Sequence, residues 1–132
     1  MDEVLFLSDA WVEAADAALT SVAGADEMAT AVVAYRVTGG PDGDCEHHLV
    51  LGADRPRMVR PGPDATSPTV TLTMPYDLAV AVNQGVESAQ RAVLDGRIDL
   101  NGQPDVLLAH QAPLGAVDDL LAPLRARTRY AG

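Results

Sequence analysis

The sequence predicts an α+β domain: a five-stranded, mostly antiparallel sheet with helices packed on one face. Three observations carry that reading. "ATAVVAYRVT", from about 29 to 38, is rich in β-branched residues and sets Ala31, Val33, Tyr35 and Val37 on one strand face. "VTLTM" alternates as cleanly, with Val70, Leu72 and Met74 opposed to Thr69, Thr71 and Thr73. The order of elements is helix, four strands, two helices, one strand and then helices, and strands grouped early with helices on one face suit this class.

The first helix opens at Ser8, a good N-cap. Trp11, Val12, Ala15, Ala18 and Leu19 make its apolar stripe, with Glu13, Asp16 and Thr20 on the wet side and Gly24 as a stop. After the first long strand "GGPDG" turns the chain. The second strand, about 44 to 53, places Cys45, His47, Leu49 and Leu51 on one face and Glu46 and His48 on the other. A short strand around Arg57 to Arg60 precedes "PGPDATSP", a proline-rich loop. The threonine strand then makes a sheet with one dry face and one wet face, as antiparallel sheets allow.

Pro75 opens a helix whose centre, "LAVAV", has no polar gap, and Gly85 closes it. A short helix from about Glu87 to Asp95 ends at Gly96, a natural left-handed cap. "RIDLNG" is the fifth strand, with Ile98 and Leu100 inward. The last helix carries Leu114, Val117, Leu120, Leu121 and Leu124 on one stripe. No internal repeat or domain boundary breaks the chain, so residues 1–132 are expected to form a single domain.

Composition bounds the function. The chain has 132 residues, 48% of them apolar, with one Trp, one Phe and three Tyr, so Ala, Val and Leu must build the core. Nineteen acids against nine arginines leave a net charge of −10, which argues against nucleic acid and anionic lipid headgroups. The absence of lysine removes the Walker-type phosphate lysine, Schiff-base chemistry and the kinase lysine. A single Cys45 makes no internal disulfide. "MDEVLFLSD" has acids where a signal peptide needs a positive charge, and no apolar segment approaches the roughly 20 residues of a membrane span. A cytoplasmic, soluble protein is expected.

Motifs for catalysis or metal fail on their spacing. Asp42, Asp44 and Glu46 alternate like the start of a calcium loop, but His47 stands at the sixth position and Ala53 at the twelfth. Cys45 and His47 share a strand face, yet a zinc site needs further ligands, and His48 points to the opposite side while His110 is distant in sequence. The four serines make no G-x-S-x-G elbow, and no G-x-G-x-x-G opens a helix. No catalytic residue, metal or cofactor is assigned. Arg55, Arg57 and Arg60 form one basic cluster, read mainly as a solvated or edge-protecting strand.

The helix that is apolar nearly all round raises the question of what covers its second side. "PTVTLTMPYDLAVAVNQGVESAQRAVLDGRIDLNGQ" resembles the core of the sterol carrier protein type two family, especially bacterial single-domain members. A threonine-rich strand runs directly into a helix, "ESAQRAVLDG" follows as a short helix, and "GRIDLNG" sets two glycines around a strand. "FLSDAW" fits the family's opening helix. Gln103 and Pro104 depart from the acidic residue that many members carry after the second glycine.

That resemblance implies an apolar tunnel between sheet and helices, holding a fatty acid, acyl-coenzyme A or sterol-like lipid without catalysis. Its lining would include Leu78, Val82, Val93, Leu114, Val117 and Leu121, with Ala79, Ala81, Ala89 and Ala92 leaving room. The arginine cluster could meet a headgroup at the tunnel mouth, and the helix from Leu114 to about Arg127 would serve as a lid. The alternative is an accessory protein-interaction module of the same fold without a bound lipid, with a protein partner or a homodimer as its context. An enzyme using Cys45, His47 or His110 is the third reading.

Overall fold

A computed structural model describes residues 3–19, 31–40, 43–51, 57–61, 67–103, 105 and 111–130, with the backbone alone over 111–118. Thr20, Gly24, Asp42, Arg55, Pro104 and His110 lie outside the described residues. The strands are β1 (Val4–Leu5), β2 (Ala31–Gly40), β3 (Gly43–Leu51), β4 (Arg57–Val59), β5 (Val70–Pro75), β6 (Asp99–Gly102) and β7 (Thr128–Arg129). The helices are α1 (Asp9–Ala18), α2 (Tyr76–Asn83), α3 (Ala89–Leu94) and α4 (Gln111–Ala126). The architecture is the expected α+β one.

Five strands form one sheet in the order β4-β3-β2-β5-β6. Pairing is antiparallel at β2–β3, β3–β4 and β5–β6 and parallel at β2–β5. The register lays inward side chains in rows across the strands. Val70, Val33, Leu49 and Met58 make one row, Leu72, Tyr35 and His47 the next, and Met74, Val37 and Cys45 a third. These are the faces the alternation predicts. Of the apolar members only Tyr35 and Cys45 are less than fully buried.

The outer face is not uniformly wet, contrary to the sequence reading. Val32, Ala34 and His48 are buried on it. β2 is the central strand, and Ala34 stands between His48 and Thr71 on its two neighbours, so longer side chains shelter it from both sides. Beside it His48 Nε2 lies 2.6 Å from Glu46 Oε2, whose other oxygen meets Arg36 at 3.2 Å.

α1 begins as expected. Ser8 Oγ accepts the backbone N–H of Trp11 at 3.2 Å and donates to the Leu5 carbonyl at 2.7 Å. Asp16, assigned by periodicity to the wet side, does something else. Its carboxylate accepts Arg57 Nε at 2.8 Å and the backbone N–H of Met58 at 3.0 Å, fastening edge strand β4 to α1. Arg60 reaches Asp9 at 2.6 Å and donates to the Leu7 carbonyl. Arg57 and Arg60 of the basic cluster therefore hold α1 and its leading turn against the sheet.

One pairing has no counterpart in the sequence reading. β1 and β7 make a two-stranded parallel ribbon, with Val4 opposite Thr128 and Leu5 opposite Arg129. The ribbon ties the end of α4 to the turn that leads into α1. Two residues per strand carry too little pattern to be seen before folding.

The two glycines of "GRIDLNG" serve different needs. Gly96 has φ +79° in open space after α3, where it caps the helix. Gly102 has φ +110° and packs against the Thr69 carbonyl and Val70 backbone, with no room for a Cβ. Gly102→Ala is expected to lower stability in urea unfolding by more than Gly96→Ala, which carries only the left-handed backbone cost of roughly 1–2 kcal/mol. Equal losses would mean that the close approach at β6 is not needed.

Candidate functional site

Between the sheet and the helices lies a cavity of about 200 Å³, partly open to solvent. Its floor is the register described above: Tyr35 and Val37 from β2, His47 and Leu49 from β3, Met58 from β4, and Leu72 and Met74 from β5. Phe6, Leu7 and Trp11 wall one side, Ala79, Val82, Asn83 and Ala89 another, and Leu121 and Arg125 of α4 complete it.

Local conformation explains how the N-terminal wall forms. Leu7 takes φ +67°, an uncommon conformation for a residue with a side chain. The capping bonds of Ser8 and the donation from Arg60 to the Leu7 carbonyl hold the turn. The turn leaves both Phe6 and Leu7 lining the cavity.

The chain's few aromatic residues converge here. Phe6 meets Trp11 edge-on at 5.1 Å, Tyr76 at 6.1 Å and Tyr130 at 5.3 Å. Trp11 meets the His47 ring at 5.5 Å, and His47 stacks on Tyr35 at 5.1 Å with 15° between planes. Asn83 at the end of α2 donates to the Tyr130 hydroxyl at 2.7 Å, which joins the helical wall to the segment after β7. Such ring pairs contribute about 0.5–1.5 kcal/mol each beyond the area they bury.

Polar groups in this lining are few. Burial pushes the His47 imidazole down to about 3, with the positive charge of Arg60 and the adjacent His48 adding to the effect. The ring is neutral at ordinary pH. Trp11 is 4% exposed, and its Nε1 is buried with no hydrogen-bond partner among the described residues. A buried donor left in that state costs about 1–3 kcal/mol. Burial raises the Cys45 thiol, an effect Arg60 opposes and Asp44 reinforces, which disfavours the thiolate needed for nucleophilic chemistry. Among the described residues no three His, Cys, Asp or Glu side chains gather to hold a metal.

The sequence-predicted lining residues fall in several places. Val82 and Leu121 line the cavity. Leu78 is in the buried core, and Val93 packs against that core from α3; neither is among the cavity's lining side chains. Leu114 and Val117 belong to the stretch of α4 whose side chains lie outside the described residues. Sequence reasoning read Trp11 as core stripe and His47 as a strand residue beside Cys45, and it gave Phe6 no role. The alternation that put His47 inward was the available signal.

No family model matches the sequence, and no curated protein does. Solved structures do. A crystal structure of sterol carrier protein 2 superposes with a TM-score of 0.61 at 16% identity, covering 91% of this chain and 97% of that one. The chain has the sterol carrier protein 2 fold. A conserved hypothetical protein from Thermus thermophilus shares this fold with a TM-score of 0.53 at 16% identity, over 94% of this chain and 92% of its own. Palmitated sterol carrier protein 2 like 2 from Aedes aegypti matches at 0.55 and 18% identity, over 84% and 95%. The chain spans 62% of apo sterol carrier protein 2 from Yarrowia lipolytica, with 55% of its own residues matched at 20% identity and a TM-score of 0.46. Among the described residues no helix is long and apolar enough to cross a membrane.

The buried neutral histidine has a consequence for stability. Unfolded, His47 titrates near its ordinary 6.5; folded, it stays neutral down to about 3. Its contribution to stability is therefore complete above pH 6.5 and is lost as pH falls from there toward 3. Relative to His47→Phe, the wild-type chain should lose up to about 1.4 kcal/mol per pH unit between about pH 6 and 5 in denaturant titrations. Parallel curves for the two proteins would mean that the ring takes up its proton as readily in the folded state as in the unfolded one.

Proposed function

We propose that this protein binds and carries an apolar ligand, a fatty acid, acyl-coenzyme A or sterol-like lipid, without catalysing its conversion. One observation carries the reading: a cavity between the two layers, lined mostly by apolar side chains from both. The relative from Aedes aegypti supports it, since that protein shares the fold and its structure is of the palmitated form. Each acyl methylene buried would contribute about 0.8 kcal/mol before ordering costs, so affinity needs no charged anchor.

Pockets for drug-sized ligands run to roughly 300–1,000 Å³, above the volume present here. A long-chain lipid would need the helical layer to move outward. α4 is the candidate lid: Pro123 removes a backbone donor within it, and Leu121 and Arg125 on either side line the cavity. The Leu120, Leu121 and Leu124 stripe would slide over the aromatic wall as lipid enters.

Organic extraction of the purified protein followed by mass spectrometry should yield a lipid in near-stoichiometric amount. Val82→Trp should fill the cavity and weaken binding of a fluorescent fatty-acid or sterol probe by about tenfold or more. Leu94→Trp, at a position 80% exposed and outside the lining, should bind as the parent does. A lipid-free protein that takes up no probe at any concentration, or two tryptophan variants with equal effects, would overturn the carrier reading.

A further inference from the structure

We propose that Arg125 selects the head group of the ligand: its guanidinium holds the ionised carboxylate of a free fatty acid and favours it over the neutral ester or thioester. This rests on the carrier reading and narrows the class of ligand it admits.

The position of Arg125 follows from α4. Leu121 and Arg125 stand four residues apart on that helix, so they share one face, and both line the cavity. The first presents an apolar side chain and the second, one turn on, a cation. Arg125 is half-buried, and its Nε is sealed within the protein. The head therefore lies between the hollow and open solvent and does not stand free on the surface. Arg125 has contacts of its own within the chain, but a guanidinium carries several N–H donors, and one contact does not use them up.

The surroundings favour an anion there. Among the described residues that line the cavity, Arg125 alone is charged at neutral pH: none is Asp or Glu, and His47 is neutral. Arg60 is not in the lining, and Asp9 and the carbonyls of Leu7 and Glu46 engage it. Asn83 adds an amide to the lining, at the end of α2 that its bond to Tyr130 ties to the segment after α4. Polar side chains thus enter the wall at the ends of α2 and α4, over a floor that is mostly apolar.

An anion with no cation beside it would be disfavoured twice, by lost hydration and by the chain's net charge of −10. A planar carboxylate matches the guanidinium fork and recovers charged hydrogen bonds. An ester or thioester oxygen brings no charge to the same place. Because α4 is the candidate lid, the pair would also hold that helix down over the acyl chain.

The full chain, freed of bound lipid by organic extraction, is titrated near neutral pH with octanoate and with its uncharged isomer methyl heptanoate. Occupancy is followed on Val and Leu methyl signals. A cavity of about 150 Å³ is enough to admit benzene, so one of about 200 Å³ has room for a short-chain probe. The wild-type chain should bind octanoate at least as tightly as the ester. The assigned Arg125 side-chain N–H signals should move with octanoate and stay in place with the ester. Arg125→Gln should weaken octanoate binding by about tenfold and leave the ester within about twofold, turning the preference to the ester. Should that variant fail to fold, the wild-type titrations decide alone.

Tighter binding of the ester by the wild-type chain, Arg125 signals that ignore octanoate, or equal effects of Arg125→Gln on both probes overturns the inference and leaves the carrier reading standing. Uptake of neither probe removes both.

Discussion

The site depends on the register of the central strand. β2 pairs antiparallel with β3 and parallel with β5, and those two alignments bring Leu72, Tyr35 and His47 into one row beneath the helices. Side chains alternate across a strand, so a slip of one residue at either pairing would turn half the cavity floor outward. Arg36 and Thr73 would then replace Tyr35 and Leu72, and two polar groups would face the apolar interior without partners. The cost of burying them is what holds the register.

The roof is held by contacts of another kind. Asp16 fastens β4 to α1 through both a side chain and a backbone N–H, while Arg60 grips the turn at Leu7. The β1–β7 ribbon and the Asn83–Tyr130 bond link the N-terminal turn, the end of α2 and the end of α4. The helical layer is thus anchored at its edges. Between those anchors the lining of α2 and α3 includes Ala79 and Ala89, which are too small to reach down and fill the space over Leu72 and Met74. Close packing is the norm in protein interiors, so a gap of this size marks a place where edge anchoring and small side chains together prevent closure.

The aromatic cluster makes up one part of the wall of the hollow. Aliphatic side chains alone would make a uniform wall, whereas the rings of Trp11, Tyr35 and His47 and the polar side chains of Asn83 and Arg125 also line it. The same burial that keeps His47 uncharged leaves the Trp11 donor without a partner among the described residues. One desolvated environment thus surrounds both groups.

Much of the fold was legible in the residues. The alternation of Val33, Tyr35 and Val37, of His47 and Leu49, and of Val70, Leu72 and Met74 named the inward face strand by strand, and Ser8 and Gly96 marked helix ends. The resemblance of "VTLTMPYDLAVAV" and "GRIDLNG" to the sterol carrier family anticipated the fold that the superpositions show. Periodicity failed where a contact was made by distant segments. Asp16 reads as solvated until β4 arrives beside it, and the basic cluster reads as surface until Arg57 and Arg60 meet α1 and its leading turn.

Sequence alone therefore determined which side chains face inward, because the two-residue and 3.6-residue periods of strand and helix are local properties of the chain. Tertiary structure alone decided which inward residues border empty space and which are sealed in the core. Val82 and Leu78 lie on one turn of the same apolar helix, yet only the first lines the cavity. That difference comes from how far two layers stand apart, a distance set by anchors such as Asp16 and Arg57, 41 residues apart in the chain. No local pattern encodes it.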